Sequence, residues 1–148
     1  MSAMDQFLAY AAAFEQTFAD DDWSRITPYF ASDAVYTVES SAFGGAMVGP
    51  AAIAAGIRNS VNGFDRMFDE REIELVGRPE VDGDEVRLAW NVHYRKQGYE
   101  PYVLRGRSTV RFRDGLIVAM TDHYDEAADA ALLEWRSKND LPIDPSYV

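Results

Sequence analysis

Near the start of the chain, apolar side chains recur at intervals of four, three and four, which is the spacing of one face of a helix: Phe7, Ala11, Phe14 and Phe18. The alanines between them also favour helix. Three aspartates at 20–22 end this helix and can cap the next segment. There Pro28 lies too deep for a regular first turn, so we expect a short or kinked second helix.

After the second helix the pattern changes to that of a strand. The segment "AVYTVE" at 34–39 is β-branched and aromatic, which favours a strand. The glycine-rich segment "SSAFGGAMVG" at 40–49 predicts a mobile loop at the lip of a pocket. Pro50 can occupy the first turn of a third helix, whose inward face carries Ile53, Ile57 and Val61.

After residue 68 the sequence predicts a meander of strands. Two long segments, "VRLAWNVHYRK" and "YVLRGRSTVRFR", are separated by the turn "QGYEP". The pairs Asp82-Gly83 and Asp114-Gly115 are strong hairpin signals. The last strand, "LIVAMTDHYD", precedes a short amphipathic helix and a tail that contains proline.

This order predicts an α+β fold, in which three N-terminal helices lie on one face of a strongly curved antiparallel sheet. Together they form a cone with an interior pocket. We expect a single domain over residues 1–148, with its core over 4–137 and a C-terminal tail over 138–148.

Composition and net charge limit the partners that the protein can have. Of the 148 residues 47% are apolar, enough for a substantial core, and the formal net charge is −11. An acidic surface disfavours nucleic acid and anionic membranes as partners. The chain has no cysteine, and we find neither a secretory signal nor an apolar stretch of membrane-spanning length. We therefore expect a soluble, cytoplasmic protein.

Three segments carry a resemblance to a known family: "DDDWSRITPYFASDAVYTVE", "GPAAIAAGI" and "DGLIVAMTDHYDEA". The chain resembles the nuclear transport factor 2-like superfamily, which is cystatin-like in fold, and within it the SnoaL-like branch of polyketide cyclases. It is more distantly similar to limonene-1,2-epoxide hydrolase. The resemblance implies the cone-shaped fold and a homodimer. It leaves the reaction open, because this fold hosts cyclases, isomerases, dehydratases, hydrolases and non-catalytic modules.

The resemblance also implies particular residues. The pocket aspartate that acts as acid and base in the cyclases falls on Asp122, counted from Gly115. A tyrosine that holds the reacting water in the epoxide hydrolases falls on Tyr36. The other three positions of the hydrolase pattern are occupied by Val38, Ala89 and Asn91. Epoxide hydrolysis is therefore the weaker alternative.

Because side chains alternate between the two faces of a sheet, the position of Asp122 predicts which other strand residues point into the pocket. If Asp122 points inward, Met120 and Tyr124 do so too. The same counting predicts an inward set that also holds Tyr36, Asn91, His93, Leu104, Gly106 and Ser108. From the helices, we expect Trp23 and Tyr29 to wall the same pocket.

The counting leaves a complementary outer face. On it we expect Trp90, Val92, Tyr94 and Val103, which are too apolar to remain in water. A homodimer through this face would cover them. An outward row of arginines at 105, 107 and 111 would pair with acids across the subunit contact.

The candidate chemistry is proton transfer by Asp122 and His93. An aspartate walled by apolar side chains loses hydration, which raises its pKa towards the range useful for proton transfer. Such a pair could catalyse aldol cyclisation, isomerisation or dehydration of an apolar carbonyl compound. The plainer alternatives are that Asp122 caps the last helix and that His93 is a packed, hydrogen-bonded histidine.

Non-catalytic functions remain open, whereas the sequence implies neither a cofactor nor a metal. The same cone could hold an apolar ligand without catalysis or serve only for dimerisation. No cofactor is implied, since the sequence lacks GxSxG, HExxH and dinucleotide-binding motifs. A metal site can be written from Asp122, His123, Asp125 and Asp129, but alternation places its first members on opposite faces, so we expect no metal.

Overall fold

A six-stranded curved sheet forms the body of the molecule in the computed structural model, which describes residues 1–147. The strands are β1 (Phe30–Glu39), β2 (Gly45–Val48), β3 (Glu70–Asp82), β4 (Glu85–Arg95), β5 (Tyr102–Arg113) and β6 (Leu116–His123). The helices are α1 (Ala3–Asp20), α2 (Pro50–Gly63) and α3 (Glu126–Lys138). Single 3₁₀ turns span Trp23–Arg25, Thr27–Tyr29 and Asp65–Met67.

The sheet has the order β2-β1-β6-β5-β4-β3. All neighbouring strands are antiparallel except β1 and β6, which run parallel. The predicted α+β class and curved, mostly antiparallel sheet are confirmed. The N-terminal helices cover its concave face, so the core lies between the two layers.

Local sequence explains the helix boundaries. Ser2 and Asp5 form a capping box at the start of α1, and Asp21 ends that helix in the left-handed region at φ 62°. Pro28 confines the second helical segment to a 3₁₀ turn, which agrees with the expected short helix. Pro50 lies in the first turn of α2, as expected.

One loop prediction is wrong in part. The last residues of the glycine-rich segment form β2, which pairs with β1 from Val35↔Val48 to Val38↔Gly45. The short strand extends the sheet past β1. It also places Met47 in the core, where Met47 is 4% exposed.

The predicted faces of β4 are wrong. Val92 and Tyr94 are buried at 6% and 2% exposure and point inward, whereas Asn91 and His93 lie on the outer face beside Glu74. The register requires this, because Val92 is directly opposite Leu104, and directly opposed side chains share one face. Leu104 itself points inward, as predicted.

The corrected faces remove the reason given for a homodimer. Trp90, Val92 and Tyr94 face the interior, so of the four apolar residues predicted outside only Val103 remains there. The exposed arginines at 105, 107 and 111 do lie on the outer face of β5. The homodimer stays a prediction.

The C-terminal tail packs against the core. Leu141 and Ile143 are buried at 8% and 1% exposure. The Asp144 amide donates to the Gly63 carbonyl at 2.8 Å, which ties the tail to the end of α2. Within residues 1–147, no helix combines the length and apolarity needed to cross a membrane.

The faces of β4 can be tested by two neighbouring substitutions. Val92→Ala should lower the free energy of unfolding by about 2 kcal/mol, because it removes buried methyl groups. Asn91→Ala should change it by no more than about 0.5 kcal/mol, because only a surface hydrogen bond is lost. Urea denaturation of both variants checks the pair. Equal losses, or a larger loss for Asn91→Ala, would contradict the assignment.

Candidate active site

The concave face of the sheet and helices α1 and α2 enclose a cavity of about 360 Å³. Aromatic and aliphatic side chains make up most of its wall, which is typical of a site for a small organic molecule. The aromatic part of the wall includes Tyr10, Phe14, Phe43, Trp90 and Tyr124.

Asp122 lines this cavity and accepts two hydroxyl hydrogen bonds. Ser108 Oγ donates to Asp122 Oδ1 at 2.6 Å, and the Tyr36 hydroxyl donates to Oδ2. Both donors are placed by strand register: Ser108 is directly opposite Asp122 on β5, and Tyr36 lies on β1, which pairs with β6. The carboxylate therefore has one donor from each neighbouring strand.

Two further donors support these hydroxyls. Trp90 Nε1 donates to Ser108 Oγ at 2.9 Å, so the serine can direct its own proton to the carboxylate. The Tyr147 hydroxyl lies 3.2 Å from that of Tyr36. Since the Tyr36 proton goes to Asp122, Tyr147 is the donor in this second contact. The result is one continuous chain from Trp90 to Tyr147 with Asp122 at its centre.

Burial controls the protonation of Asp122. Loss of hydration raises the pKa of this carboxyl, and the hydrogen bonds from Ser108 and Tyr36 offset that rise only in part. The causes of the shift include no cation. Burial likewise raises the pKa of Tyr36 and Tyr124, so both phenols stay protonated and can donate.

The structure brings together most of the pocket residues predicted on β1, β5 and β6. Tyr36, Leu104, Ser108, Met120, Asp122 and Tyr124 all line the cavity. Gly106 lies between Trp90 and Tyr124, and a Cβ there would come within 2.7 Å of the indole. Glycine at this position leaves room for the indole that reaches Ser108.

Four predicted pocket residues lie elsewhere. His93 and Asn91 are on the outer face, where His93 Nε2 is 3.2 Å from Glu74 Oε1. Trp23 donates from Nε1 to Asp21 at 2.6 Å, and the Tyr29 ring packs edge-on against Tyr10. Trp23 and Tyr29 belong to the layer behind the cavity wall and do not line it.

Sequence reasoning missed Trp90 and Tyr147. Trp90 could have been found, because apolar residues alternate along β4 at 86, 88, 90, 92 and 94 and predict that face as the buried one. Tyr147 has no such signal. It follows a helix in a tail without periodicity, and only the path of the tail across α2 brings it to the cavity.

The polar residues after Asp122 make contacts that do not involve Asp122. His123 Nδ1 lies 2.8 Å from Glu39 Oε2 on the outer face. Asp125 caps α3 by accepting from the Ala128 amide at 2.8 Å, which is the role considered for Asp122. Asp129 accepts from the hydroxyls of Ser40 and Ser41. These three side chains and Asp122 do not converge on one point.

Solved structures with the same fold cover nearly the whole chain. An NTF2-like protein of unknown function from Burkholderia pseudomallei K96243 is 17% identical with a TM-score of 0.65, over 88% of this chain and 96% of that one. TerC co-crystallised with polyporic acid is 20% identical with a TM-score of 0.64, over 89% and 98%. A candidate polyketide cyclase from Pseudomonas putida KT2440 is 21% identical with a TM-score of 0.62, over 91% and 98%.

At these identities the likeness establishes the fold and not the reaction. No curated protein sequence matches the chain significantly. The sequence profile of the SnoaL-like domain, however, matches residues 10–120, which is most of the chain. The match covers β1 to β5 and the first part of β6, and it ends two residues before Asp122. The chain therefore belongs to the SnoaL-like domain family.

Proposed function

We propose that this protein is a cofactor-independent acid/base enzyme that acts on an apolar carbonyl compound, with Asp122 as its proton-transfer group. The observation that carries the proposal is a half-buried carboxylate in the wall of an apolar cavity, held between two hydroxyl donors, with no cation among the causes of its pKa shift. A carboxyl in such surroundings has a raised pKa and serves as a stronger base than a hydrated aspartate.

The first chemical step is enolisation. The Asp122 carboxylate removes a proton from the carbon next to a substrate carbonyl, and the C–H electron pair forms the carbon–carbon double bond. The carbonyl oxygen takes the negative charge. A phenol hydroxyl stabilises this charge, because the surrounding wall is mostly apolar and the hydroxyl dipoles are already oriented.

Tyr36 links the two halves of this step. While Asp122 is ionised, the Tyr36 proton is committed to it. Once Asp122 has taken the substrate proton, its hold on that hydroxyl weakens, and Tyr36 can turn its proton to the new oxyanion. Tyr147 then donates to Tyr36 from behind. The stabilising donor thus becomes available when negative charge develops on the substrate.

The second step decides the reaction class. Protonated Asp122 can return its proton to a different carbon, which is isomerisation, or to a departing hydroxyl, which is dehydration. In an aldol cyclisation the enolate carbon attacks a second carbonyl of the same molecule, whose oxygen then takes the proton. All three reactions need the same carboxylate and the same phenols, so the site supports the class rather than one member.

The proton-transfer partner first expected, His93, has no place in this mechanism. Its ring lies on the outer face beside Glu74, on the far side of the sheet from Asp122. Hydrogen bonds from Tyr36 and Ser108 to Asp122 therefore take the place of the predicted contact between Asp122 and the His93 imidazole. Both side chains donate hydrogen bonds but do not change charge near neutral pH.

The structural neighbours support a small-molecule pocket. TerC was crystallised with polyporic acid, and another neighbour is a candidate polyketide cyclase. By contrast, the cavity-facing residues of β4 are Leu88, Trp90, Val92 and Tyr94, none of which is a carboxylate that could activate a water. Epoxide hydrolysis is therefore disfavoured. The remaining alternative is a ligand-binding module in which Asp122 only orients a hydroxyl-bearing ligand.

Proton exchange in D₂O tests the proposal without a known product. The wild-type protein should catalyse hydrogen–deuterium exchange next to the carbonyl in a panel of apolar cyclic ketones, followed by NMR. Asp122→Asn should reduce the rate about 10²- to 10⁴-fold, because the base is removed. His93→Ala is the matched control and should retain the full rate. Exchange that survives in Asp122→Asn, or is lost in His93→Ala, would contradict the proposal.

The pH profile supplies a separate test. A raised pKa means that Asp122 is ionised only at higher pH, so the rate should fall as the pH drops through that pKa. Its midpoint should lie above the ordinary aspartate value of about 4. Ser108→Ala removes a donor that lowers the pKa, so its profile should move to higher pH. A profile that is unchanged in Ser108→Ala, or moves to lower pH, would refute this account of the carboxylate.

A further inference from the structure

A second polar cluster lines the same cavity and has no part in the chemistry at Asp122. It comprises Asp65 in the turn after α2, Arg71 on β3, Tyr94 on β4 and Glu15 on α1. Tyr94 donates to Asp65 Oδ1, and Arg71 Nε lies 3.4 Å from the same oxygen. Arg71 Nη1 donates to Glu15 at 3.1 and 3.2 Å.

The two polar groups lie at different ends of the cavity. Trp90 belongs to the Asp122 end through Ser108, and Tyr94 belongs to the second cluster. Both point inward from β4, and four residues of strand separate their Cα atoms by about 13 Å. Between them the wall is apolar and includes Val92, on the same strand. The cavity is therefore polar at each end and apolar in between.

A purely structural ion pair does not account for the cluster well. Buried ion pairs contribute little net stability and are often replaceable by apolar side chains. Arg71 Nε is buried and lies 3.4 Å from Asp65 Oδ1, a contact that within residues 1–147 falls short of good hydrogen-bond geometry. So weak a contact offsets the desolvation of the guanidinium only in part, and a ligand oxygen at its Nη atoms would therefore be favourable.

Aromatic side chains fix the orientation of the Arg71 guanidinium, while its contact with Glu15 is weak enough for a ligand to displace. The guanidinium carbon lies 4.7 Å from the centre of the Phe18 ring and 5.7 Å from that of Phe14, which holds the group against the aromatic wall. Glu15 is 48% exposed. A contact with so exposed a carboxylate is weak, so a ligand oxygen can compete for the Arg71 donors at little cost.

We propose that Arg71, held in place by Asp65 and Tyr94, hydrogen-bonds a neutral oxygen at the end of the substrate remote from Asp122. The substrate is then an elongated apolar compound with an oxygen function at each end. The inference rests on the proposed function in that Asp122 receives the other end. A neutral oxygen fits better than an anion, because Asp65 and Glu15 already present two carboxylates to Arg71.

Three biphenyls probe the two ends in calorimetric titrations of the full chain. They are 4-phenylphenol, 4,4'-dihydroxybiphenyl and 4'-hydroxybiphenyl-4-carboxylic acid. The wild type should bind the dihydroxy compound about tenfold more tightly than 4-phenylphenol, as one added charged hydrogen bond predicts. The carboxylic acid should bind no more tightly than 4-phenylphenol.

Substitutions assign that preference to Arg71. Arg71→Met should abolish the tenfold preference and leave the affinity for 4-phenylphenol unchanged. Arg71→Lys keeps the charge but loses the planar donor fork, so it should also lose most of the preference; it decides the matter if Arg71→Met does not fold. Arg105→Met, on the exposed outer face, is the matched control and should bind all three probes as the wild type does.

Asp122→Asn separates this inference from the proposed function. It should weaken the two uncharged probes by the same factor and leave their ratio intact. If it weakens neither, while Arg71→Lys still removes the preference, the Asp122 end fails and the Arg71 end stands. Any one of four results would overturn the inference. The wild type shows no preference, or it binds neither uncharged probe. Alternatively, the preference survives in Arg71→Lys, or the carboxylic acid binds most tightly.

Discussion

The hydrogen bonds from Ser108 and Tyr36 to Asp122 are the constraint on which the site depends. Removing a carboxylate from water is costly unless donors replace its hydration. The pairing of β5 and β1 with β6 supplies one donor from each side, with Ser108 Oγ at 2.6 Å. Even so, burial raises the pKa of Asp122. The native state therefore keeps the Asp122 proton to a higher pH than the unfolded chain does. The stability that this protonation contributes is fully present below the pKa of Asp122 in the unfolded chain, and it is lost as the pH rises through the pKa in the folded protein. A chain selected for stability alone would not keep an aspartate here.

The two polar ends of the cavity give the fold a direct relation to its chemistry. Strand β4 presents Leu88, Trp90, Val92 and Tyr94 to the interior, so a single strand contributes the indole behind Ser108, the apolar middle and the phenol that orients Asp65. Helix α1 closes the cavity from above and brings Glu15 to Arg71. The tail adds Tyr147 to the donor chain. Curvature of the sheet is what allows groups from these distant segments to face one volume.

Much of the fold could be predicted from the sequence, because its signals are local and strong. The stripe of α1, Pro50 and the two Asp-Gly turns fixed most element boundaries, and the inward face of β6 followed from one family position, Asp122. Counting from Gly115 predicts the wrong faces for β4, whereas the alternation of apolar residues at 86, 88, 90, 92 and 94 predicts the right ones. That alternation places His93 and Asn91 outside. Three features had no readable signal: the short strand β2 in a glycine-rich segment, the packing of Trp23 and Tyr29 behind the wall, and the path that brings Tyr147 to Tyr36. They depend on long-range contacts that no local pattern encodes.

The most direct test of this account is the protonation of Asp122 itself, followed in the wild-type protein by NMR of its side-chain carboxyl carbon across a pH titration. Assignment would come from comparison with Asp122→Asn. We predict a midpoint clearly above the ordinary aspartate value of about 4, because desolvation outweighs the two hydroxyl donors. A midpoint at or below that value would show a hydrated or cation-paired carboxylate, and would contradict the claim that Asp122 is a desolvated base in an apolar cavity.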